Sequence, residues 1–234
     1  MPKAPSCRAR VAAVRWLDPV LLEVDLAMIE PPELAFDAGQ WIAIPLGEKT
    51  VRPYSMASPP SERRLIRLCV DVKPGGSGSR YFRELGVGDE VRFQPPLGTL
   101  TLIADSTAPV LMVAEEVGVV PFRSILLAQA EEGFPRPMML YFTAPTLGHL
   151  LYDAEFRALG SRHQQFRYRP MLSAPDPGWS GEVGSVLAAV EREAGELRGH
   201  DALLCGGGDL VKAARELCLA RGIERKRIRY EKFW

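Results

Sequence analysis

Val110-Leu111-Met112-Val113-Ala114 is a run of five apolar residues, and Gly118, Pro121 and a helical pattern from Phe122 to about Glu131 follow it. A short apolar run of this kind is typical of a strand that is buried on both faces of a parallel sheet. The strand, the turn and the helix together form the first part of a βαβ unit. This stretch therefore predicts that the chain enters an α/β fold near residue 110.

The same alternation continues toward the C-terminus. Further strands are predicted at Met138–Phe142, Phe166–Tyr168 and Ala202–Cys205. Further helices are predicted near Tyr152–Leu159, Ser185–Glu193 and Leu210–Arg221. Alternating strands and helices indicate a doubly wound parallel sheet.

The residues before this stretch follow a different pattern. Apolar and polar residues alternate, or short apolar runs occur, in Leu21–Leu26, Trp41–Ile44 and Leu65–Val72. Turn residues separate these segments, and several short strands at such spacing predict an antiparallel barrel or sandwich. With Ala104–Thr107 as the connector, we expect two domains: an antiparallel β domain over residues 1–105 and an α/β domain over residues 106–234.

The composition is that of an ordinary globular protein. The chain has 234 residues, of which 47% are hydrophobic and 25% are charged. The 29 Lys and Arg residues balance the 29 Asp and Glu residues, so the charge indicates neither a nucleic acid nor an anionic membrane as a partner. No apolar run approaches the roughly 20 residues of a membrane span, and Met1–Ser6 lacks the apolar segment of a secretory signal. We therefore expect a cytoplasmic protein.

The cysteines and histidines lack the spacing of a metal site. They are Cys7, Cys69, Cys205 and Cys218, and His149, His163 and His200. No pair has the short separations that zinc sites and iron–sulfur clusters use. We expect this chain to hold no metal by itself, so any redox cofactor is expected to be organic.

Arg52-Pro53-Tyr54-Ser55 carries three side chains suited to a flavin nucleotide. Arg52 offers a planar fork to a phosphate, Tyr54 offers an amphipathic ring, and the Ser55 hydroxyl can donate or accept a hydrogen bond. A match of four residues also arises by chance, so the interpretation depends on the rest of the chain.

A glycine-rich loop, Gly75-Gly76-Ser77-Gly78-Ser79, follows some twenty residues later. Its glycines allow backbone N–H groups to approach a phosphate closely, and Ser79 is placed where it could cap a helix. The loop predicts an anion site at a helix N-terminus. A flexible hairpin loop is the alternative.

These segments resemble the ferredoxin–NADP reductase-like flavin oxidoreductases. Phe36–Ile42 is similar to that family's F-x-x-G-Q-[YFW]-[VI] strand, Arg52–Ser58 to its R-x-Y-S-x-x-S flavin motif, and Gly76–Phe82 to its phosphate loop. Gly88-Asp89 and Pro96–Gly98 resemble two of its turns. The resemblance implies a Greek-key β-barrel that holds FAD or FMN, followed by a domain that binds NAD(P)H for hydride transfer.

The resemblance also assigns residues to the flavin. Arg52 would contact the phosphates, Tyr54 would lie against the isoalloxazine, and Ser55 would hydrogen-bond near N5. The chain end Glu231-Lys232-Phe233-Trp234 resembles a bacterial FAD-containing subgroup whose terminal aromatic residues stack on the cofactor, which favours FAD over FMN. The implied flavin-binding residues are Arg52, Pro53, Tyr54, Ser55, Gly76, Gly78, Ser79, Phe233 and Trp234.

In the second half, Cys205–Val211 resembles the C-G-x-x-x-[ML] turn, whose Cys-Gly edge faces the nicotinamide in that family. The alternative for Cys205 is a small buried residue at a strand end. The implied nucleotide-binding residues are Gly118, Pro121, Thr143, Cys205, Gly206 and Asp209. The implied catalytic residues are Ser55, Cys205 and Glu231.

One motif departs from the family pattern. Most members have A-G-G-T-G-[IV]-[AT]-P after the first parallel strand, whereas this chain has Ala114-Glu115-Glu116-Val117-Gly118-Val119-Val120-Pro121. Two carboxylates add bulk and negative charge where a pyrophosphate would approach. At an effective dielectric near 20, a like-charge contact at about 4 Å costs roughly 4 kcal/mol, and a glutamate that turns away costs far less.

A second departure concerns the choice of nucleotide. Thr143–Thr146 replaces the family's G-A-R-[ST], and Ala174 follows Ser173 where an arginine often marks recognition of a 2′-phosphate. The sequence therefore favours NADH over NADPH.

Three functions remain open at this point. The first is an FAD-dependent oxidoreductase that passes reducing equivalents from NAD(P)H through flavin to an external acceptor, either a protein such as a ferredoxin, flavodoxin or oxygenase component or a small molecule such as a free quinone. The second is an FAD-holding electron-transfer or assembly subunit whose nucleotide site is degenerate. The third is a binding module without a cofactor, against which the flavin motif argues.

Overall fold

The structure is a computed structural model that describes residues 7–47 and 50–233. Trp234, one of the predicted flavin contacts, lies outside the described residues. The chain divides into two compact units. Of the described residues, the first unit contains 7–47, 50–99 and Val120–Ala128, and the second contains Leu100–Val119 and 129–233.

The first unit is built on an antiparallel sheet. Its described strands are β1 (Cys7–Trp16), β2 (Leu21–Glu30), β3 (Trp41–Pro45), β4 (Val51–Ser55), β5 (Leu65–Asp71) and β6 (Glu90–Leu97), and α1 (Ser77–Glu84) lies between β5 and β6 in sequence. The strand order is β4-β3-β6-β1-β2-β5. An antiparallel bridge between Met56 and Leu68 joins the two ends of this order, so the sheet closes on itself as a barrel. The predicted antiparallel β domain is confirmed.

Strand β2 shows why these residues form a barrel wall. Leu22, Val24 and Leu26 alternate along the strand and are completely buried in the barrel core. Glu23 and Asp25 lie on the other face, where they are also buried. Both faces of β2 are therefore covered, one by apolar side chains and the other by ion pairs to neighbouring strands.

The second unit contains a parallel sheet with helices. Its described strands are β7 (Val110–Glu115), β8 (Met138–Ala144), β9 (Phe166–Leu172), β10 (Glu182–Val183), β11 (Asp201–Gly206) and β12 (Ile228–Lys232), and its helices are α3 (Asp153–Arg162), α4 (Val186–Glu193) and α5 (Gly208–Ala220). Helix α2 (Val120–Glu131) is shared between the two units. The strand order is β10-β9-β8-β7-β11-β12, and each neighbouring pair is parallel. The predicted doubly wound sheet is confirmed.

The apolar run Val110–Ala114 forms the central strand β7, and all five residues are buried. The order of the strands reverses between β7 and β11, because β8 and β9 lie on one side of β7 while β11 and β12 lie on the other. Such a reversal opens a crevice at the carboxyl ends of the two strands, where α/β proteins bind ligands.

Helix α1 corrects one detail of the sequence analysis. The prediction that Ser79 caps the helix is wrong, because the helix begins at Ser77 and Gly76 is its N-cap, with an extended backbone. Ser79 and Phe82 are three residues apart and therefore share a helix face. Both are buried, so the Ser79 hydroxyl lies on the buried face of the first turn and does not cap the helix.

In the part of the chain that the structure describes, none of the helices combines the length and the apolar composition that crossing a membrane requires.

Candidate functional site

The predicted flavin motif forms strand β4 in the first unit. Arg52 lies opposite Ile44 on β3, Tyr54 lies opposite Ile42, and Ser55 is buried at the end of the strand. The Arg52 side chain is exposed, and its Nη1 donates to the carbonyl of its own neighbour Val51 at 3.2 Å. Its guanidinium is therefore accessible to a phosphate group.

Tyr54 connects this motif to the glycine-rich loop. Its ring packs edge-on against Phe82 of α1, with 4.7 Å between the ring centroids. A Cβ atom built on Gly78 would overlap the Tyr54 hydroxyl, so the two residues fit closely only because position 78 is a glycine. Burial raises the pKa of Tyr54 to about 12, outweighing the lowering by the nearby Arg52 charge, so its hydroxyl remains protonated at neutral pH.

The first turn of α1 can accept an anion. Within the described residues no side chain caps this helix, and its first turn contains no acidic residue. The N–H groups there point out of the helix end and carry the positive end of its dipole. Together with the exposed Arg52, this turn fits the pyrophosphate of FAD, and the Tyr54 ring fits the apolar part of the cofactor.

Sequence reasoning missed Arg123, which anchors the segment after the flavin motif. Arg123 is buried in helix α2, and its Nη1 donates to the carbonyl of Ala57 at 2.8 Å. Ser58, the next residue, accepts a hydrogen bond on its Oγ from the Arg67 backbone N–H at 3.1 Å. A lone arginine within the apolar segment 119–127 was the signal that could have identified this contact.

The second unit brings several predicted nucleotide residues to the carboxyl edge of its sheet. Cys205 on β11 lies between Ala114 on β7 and Glu231 on β12, and Thr143, the last residue but one of β8, lies opposite Glu115. Burial, and then the nearby Glu231 carboxylate, raise the pKa of Cys205 well above its ordinary value, against a lowering by the Gly206 backbone. Cys205 is therefore an uncharged thiol at this edge.

Thr143 is a buried side chain whose Oγ1 has no hydrogen-bond partner within the described residues. Buried hydroxyl groups usually find a partner, because leaving one unpaired costs about 1–3 kcal/mol. An unpaired hydroxyl close to the strand ends therefore fits a ligand that supplies the missing hydrogen bond.

Two glycines allow the backbone to pack tightly at this edge. A Cβ atom on Gly118 would lie 2.7 Å from the carbonyl carbon of Cys205. Gly206 has a φ of 155°, and a Cβ atom there would lie 2.9 Å from Cβ of Glu115. Gly118 and Gly206 are thus required by packing within the chain, whether or not a nucleotide binds.

Glu115, which replaces a glycine of the family motif, is turned toward its own chain. Its Oε2 accepts a hydrogen bond from the Gly207 N–H at 3.1 Å, and Gly207 is the N-cap of α5. Glu116 has a φ of 48° and begins the short 3-10 helix Glu116–Val119. From the sequence we expected both carboxylates to lie where a pyrophosphate would approach. The hydrogen bond between Glu115 and the Gly207 N–H is a contact that the sequence did not predict.

The remaining predicted residues lie at or next to the ends of strands and helices. The Phe233 N–H donates to the Gly206 carbonyl at 3.1 Å, which holds Phe233 next to β11. Asp209 lies in the first turn of α5, and Pro121 lies in the first turn of α2. The described chain therefore gathers Cys205, Glu231 and Phe233 in the second unit, and Arg52, Tyr54 and Gly78 in the first.

Comparison with known families matches both parts of the chain. The model described as "Oxidoreductase FAD-binding domain" matches residues 21–102. The model described as "Oxidoreductase NAD-binding domain" matches residues 112–216. These two ranges contain the flavin motif and the β7–β11 edge, respectively.

Curated relatives point to the same family. Ferredoxin--NADP reductase B of Sorangium cellulosum (strain So ce56) is 34% identical over 243 residues, covering 100% of both chains. The ferredoxin--NAD(P)(+) reductase component of the naphthalene 1,2-dioxygenase/salicylate 5-hydroxylase systems of Ralstonia sp is 32% identical over 86% of this chain and 61% of that protein. This chain therefore spans the whole of the first relative but less than two thirds of the second.

Solved structures agree on the fold. The Amycolatopsis cytochrome P450 reductase GcoB superposes with a TM-score of 0.86 and 29% identity, covering 98% of this chain and 70% of that one. A ferredoxin NADP+ reductase from Neisseria gonorrhoeae, with bound FAD and NADP, superposes with a TM-score of 0.82 and 21% identity, covering 99% of this chain and 100% of that one. The resemblance inferred from the motifs is confirmed: this chain belongs to the ferredoxin–NADP reductase-like family of FAD- and NAD-binding oxidoreductases.

Proposed function

We propose that this protein passes electrons from NADH through FAD to a separate acceptor protein. The observation that carries the proposal is the cradle formed by Arg52, Tyr54 and the first turn of α1, which combines an exposed cation, a protonated phenol and N–H groups that no described side chain caps. FAD, when bound, supplies the redox chemistry, since it accepts a hydride and releases electrons singly or in pairs.

The residues of the chain hold and orient the cofactor. Arg52 and the backbone of Gly76, Gly78 and Ser79 hold the phosphates, and Tyr54 lies along the ring system. Ser55 is the candidate hydrogen-bonding group near N5. Pro53, between Arg52 and Tyr54, keeps the strand extended because its ring fixes φ.

For the nucleotide we propose the β7–β11 edge. The Thr143 hydroxyl, which has no partner among the described residues, and the uncharged Cys205 thiol support this choice. Gly118, Pro121, Gly206 and Asp209 belong to the same proposed site. Glu231, whose carboxylate influences Cys205, is the candidate for proton handling, and Phe233 and Trp234 are the candidates for covering the flavin ring.

NADH is the proposed donor because the loop after β9 carries the Asp176 carboxylate, and neither this loop nor the loop after β8 contains an arginine. Asp176, in the loop after β9, accepts from the Leu147 N–H at 3.2 Å and from the Gly178 N–H at 2.9 Å. A carboxylate held there disfavours the additional 2′-phosphate of NADPH.

The acceptor that we propose is a ferredoxin, a flavodoxin or an oxygenase component, because the relatives are named as ferredoxin reductases and as reductase components.

We propose flavin-binding and nucleotide-binding domains over residues 1–105 and 106–234, since the two matched ranges leave their junction between 102 and 112. A cytoplasmic location is proposed because the four cysteines are buried and form no disulfide bond within the described residues, as a reducing compartment favours.

A second candidate is an FAD-holding subunit that exchanges electrons only with proteins. The Glu115 carboxylate at the β7–β11 edge favours it, since this negative charge stands where a dinucleotide would bind.

Anaerobic mixing of the FAD-loaded protein with NADH, NADPH or dithionite separates the candidates. We expect NADH to bleach the flavin absorbance faster than NADPH, and electrons then to appear on an added [2Fe–2S] ferredoxin. Flavin that dithionite reduces but neither nucleotide reduces would support the second candidate. A protein that takes up no FAD would overturn both.

A further inference from the structure

Glu115 and Gly207 lie on the two sides of the point where the strand order reverses. Glu115 is the last residue of β7, and Gly207 directly follows β11. These strands are neighbours in the sheet, paired from Asp201 opposite Val110 to Cys205 opposite Ala114. The carboxyl ends of β7 and β11 therefore border the crevice that open α/β sheets use for ligands.

The hydrogen bond from the Gly207 N–H to the Glu115 Oε2 crosses this crevice. Glu115 can approach β11 closely because Gly206 has no side chain, which leaves room for Cβ of Glu115. The carboxylate reaches the N-terminal end of α5, where N–H groups and the helix dipole attract negative charge. The Glu115 carboxylate thus occupies a position that would attract the phosphate of a ligand.

We propose that Glu115 is a specificity-determining residue that acts as an internal competitor for the pyrophosphate of a dinucleotide. The proposal depends on the nucleotide site of the proposed function. A dinucleotide binds only when Glu115 leaves Gly207 or tolerates a second anion beside it. Glu115 therefore lowers the affinity for pyrophosphate-containing ligands and leaves the affinity for an uncharged nucleoside unchanged.

The variant Glu115→Gln tests the effect of the negative charge while keeping the hydrogen bond. Its amide oxygen can still accept from the Gly207 N–H, so the turn is retained while the negative charge is lost. Glu132→Gln is the matched control, because it makes the same chemical change at an exposed position at the C-terminal end of α2. Glu115→Ala, which removes both charge and hydrogen bond, is a second variant.

Isothermal titration of the FAD-loaded proteins with ADP-ribose and with adenosine tests the proposal. We expect Glu115→Gln to bind ADP-ribose about tenfold or more tightly than the unmodified protein, since one like-charge contact is removed. Adenosine, which has no phosphate, should bind all variants equally, and Glu132→Gln should behave like the unmodified protein. Glu115→Ala should gain at least as much affinity for ADP-ribose as Glu115→Gln.

Equal ADP-ribose affinity in the unmodified protein and Glu115→Gln would overturn the proposal, and so would a complete lack of binding in both. An equal gain for adenosine would also overturn it, because it would indicate a steric effect and not a charge effect. Flavin reduction by NADH tests the proposed function separately. If the unmodified flavin is reduced by NADH while Glu115→Gln leaves ADP-ribose binding unchanged, only the role of Glu115 fails.

Discussion

Gly118 lies directly against the backbone of Cys205: a Cβ atom at position 118 would be 2.7 Å from the Cys205 carbonyl carbon and 3.0 Å from the Gly206 nitrogen. The contact joins the turn after β7 to the end of β11, which is the edge that carries the proposed nucleotide site. Because the contacted atoms belong to the backbone, a side chain at position 118 cannot be accommodated by a rotamer change.

Gly118→Ala should therefore destabilise the protein and displace the Cys205–Gly206 edge. We expect a loss of about 2 kcal/mol in the free energy of unfolding, which is typical of overpacking in a buried site. Urea unfolding measures the loss, and the rate of flavin reduction by NADH should fall in the same variant.

Gly160→Ala is a control in which the free energy of unfolding should rise and not fall. Gly160 lies within α3, and an added Cβ atom would make only an ordinary contact of 3.8 Å with the Phe166 carbonyl. Alanine is favoured over glycine inside a helix, so this variant should gain about 0.5–1 kcal/mol. Equal stability of the two variants would contradict the packing argument for Gly118.

Gly78→Ala should weaken FAD binding with little effect on stability. The added methyl group would overlap the Tyr54 hydroxyl, and the Tyr54 ring must then move away from the position proposed to receive the flavin. We expect roughly a tenfold rise in the FAD dissociation constant, corresponding to about 1.4 kcal/mol. Quenching of FAD fluorescence on titration measures it.

Gly76→Ala is the matched control in the same loop. A Cβ atom at position 76 would meet nothing within 4 Å, and the backbone there is extended, with a φ of −72°. This variant should change FAD affinity about twofold or less, because the added Cβ atom meets nothing and leaves the backbone N–H groups of the loop in place, although alanine is a poorer N-cap than glycine. A larger loss of affinity in Gly76→Ala than in Gly78→Ala would contradict the proposed role of Tyr54.

Arg52→Gln should weaken FAD binding by roughly 10- to 100-fold, because a charged hydrogen bond to phosphate contributes about 1.5–3 kcal/mol. Arg52→Lys should recover part of the loss, since lysine keeps the charge but not the planar fork. Arg63→Gln, at an exposed position of the same unit, is the control and should leave the FAD dissociation constant unchanged. If Arg52→Gln retains full affinity, Arg52 does not bind the phosphates.

The sequence was most informative where one local pattern determines the outcome. The apolar run Val110–Ala114 became the buried central strand, and Arg52-Pro53-Tyr54-Ser55 became strand β4. Helix α2 begins at Val120, two residues before the predicted start, because proline is tolerated in the first turn of a helix. Patterns of three or four residues thus located the elements but not their ends.

Contacts between distant segments could not be predicted in the same way. Glu115 and Gly207 are 92 positions apart, and Arg123 and Ala57 are 66 positions apart. Neither contact follows from periodicity, because each depends on which strands become neighbours in the folded sheet. Such pairs are also the ones that decide whether a carboxylate faces a ligand or its own backbone.

Asp25 gives the last prediction, which concerns the pH dependence of stability. On β2 it accepts hydrogen bonds from Arg15 of β1 at 2.8 Å and from Arg67 of β5 at 2.8 Å, and so joins three strands of the barrel. Burial opposes ionisation of this carboxyl group, but the hydrogen bonds from Arg15 and Arg67 outweigh it and lower the pKa of Asp25 to about 2. Because the folded-state pKa lies below the unfolded value of about 3.9, the ionised group stabilises the fold.

Asp25→Asn should therefore lower the free energy of unfolding by about 2 kcal/mol at pH 7, as expected for hydrogen bonds to charged partners. The stabilisation by Asp25 is fully present above about pH 4 and is lost as the pH falls through about 2, so the two proteins should converge over that interval. Urea unfolding at a series of pH values measures the difference.

Asp37→Asn, at an exposed position of the same unit, is the control and should match the unmodified protein throughout. A difference between Asp25→Asn and the unmodified protein that stays constant down to pH 2 would show that the ionised carboxylate is not the stabilising form.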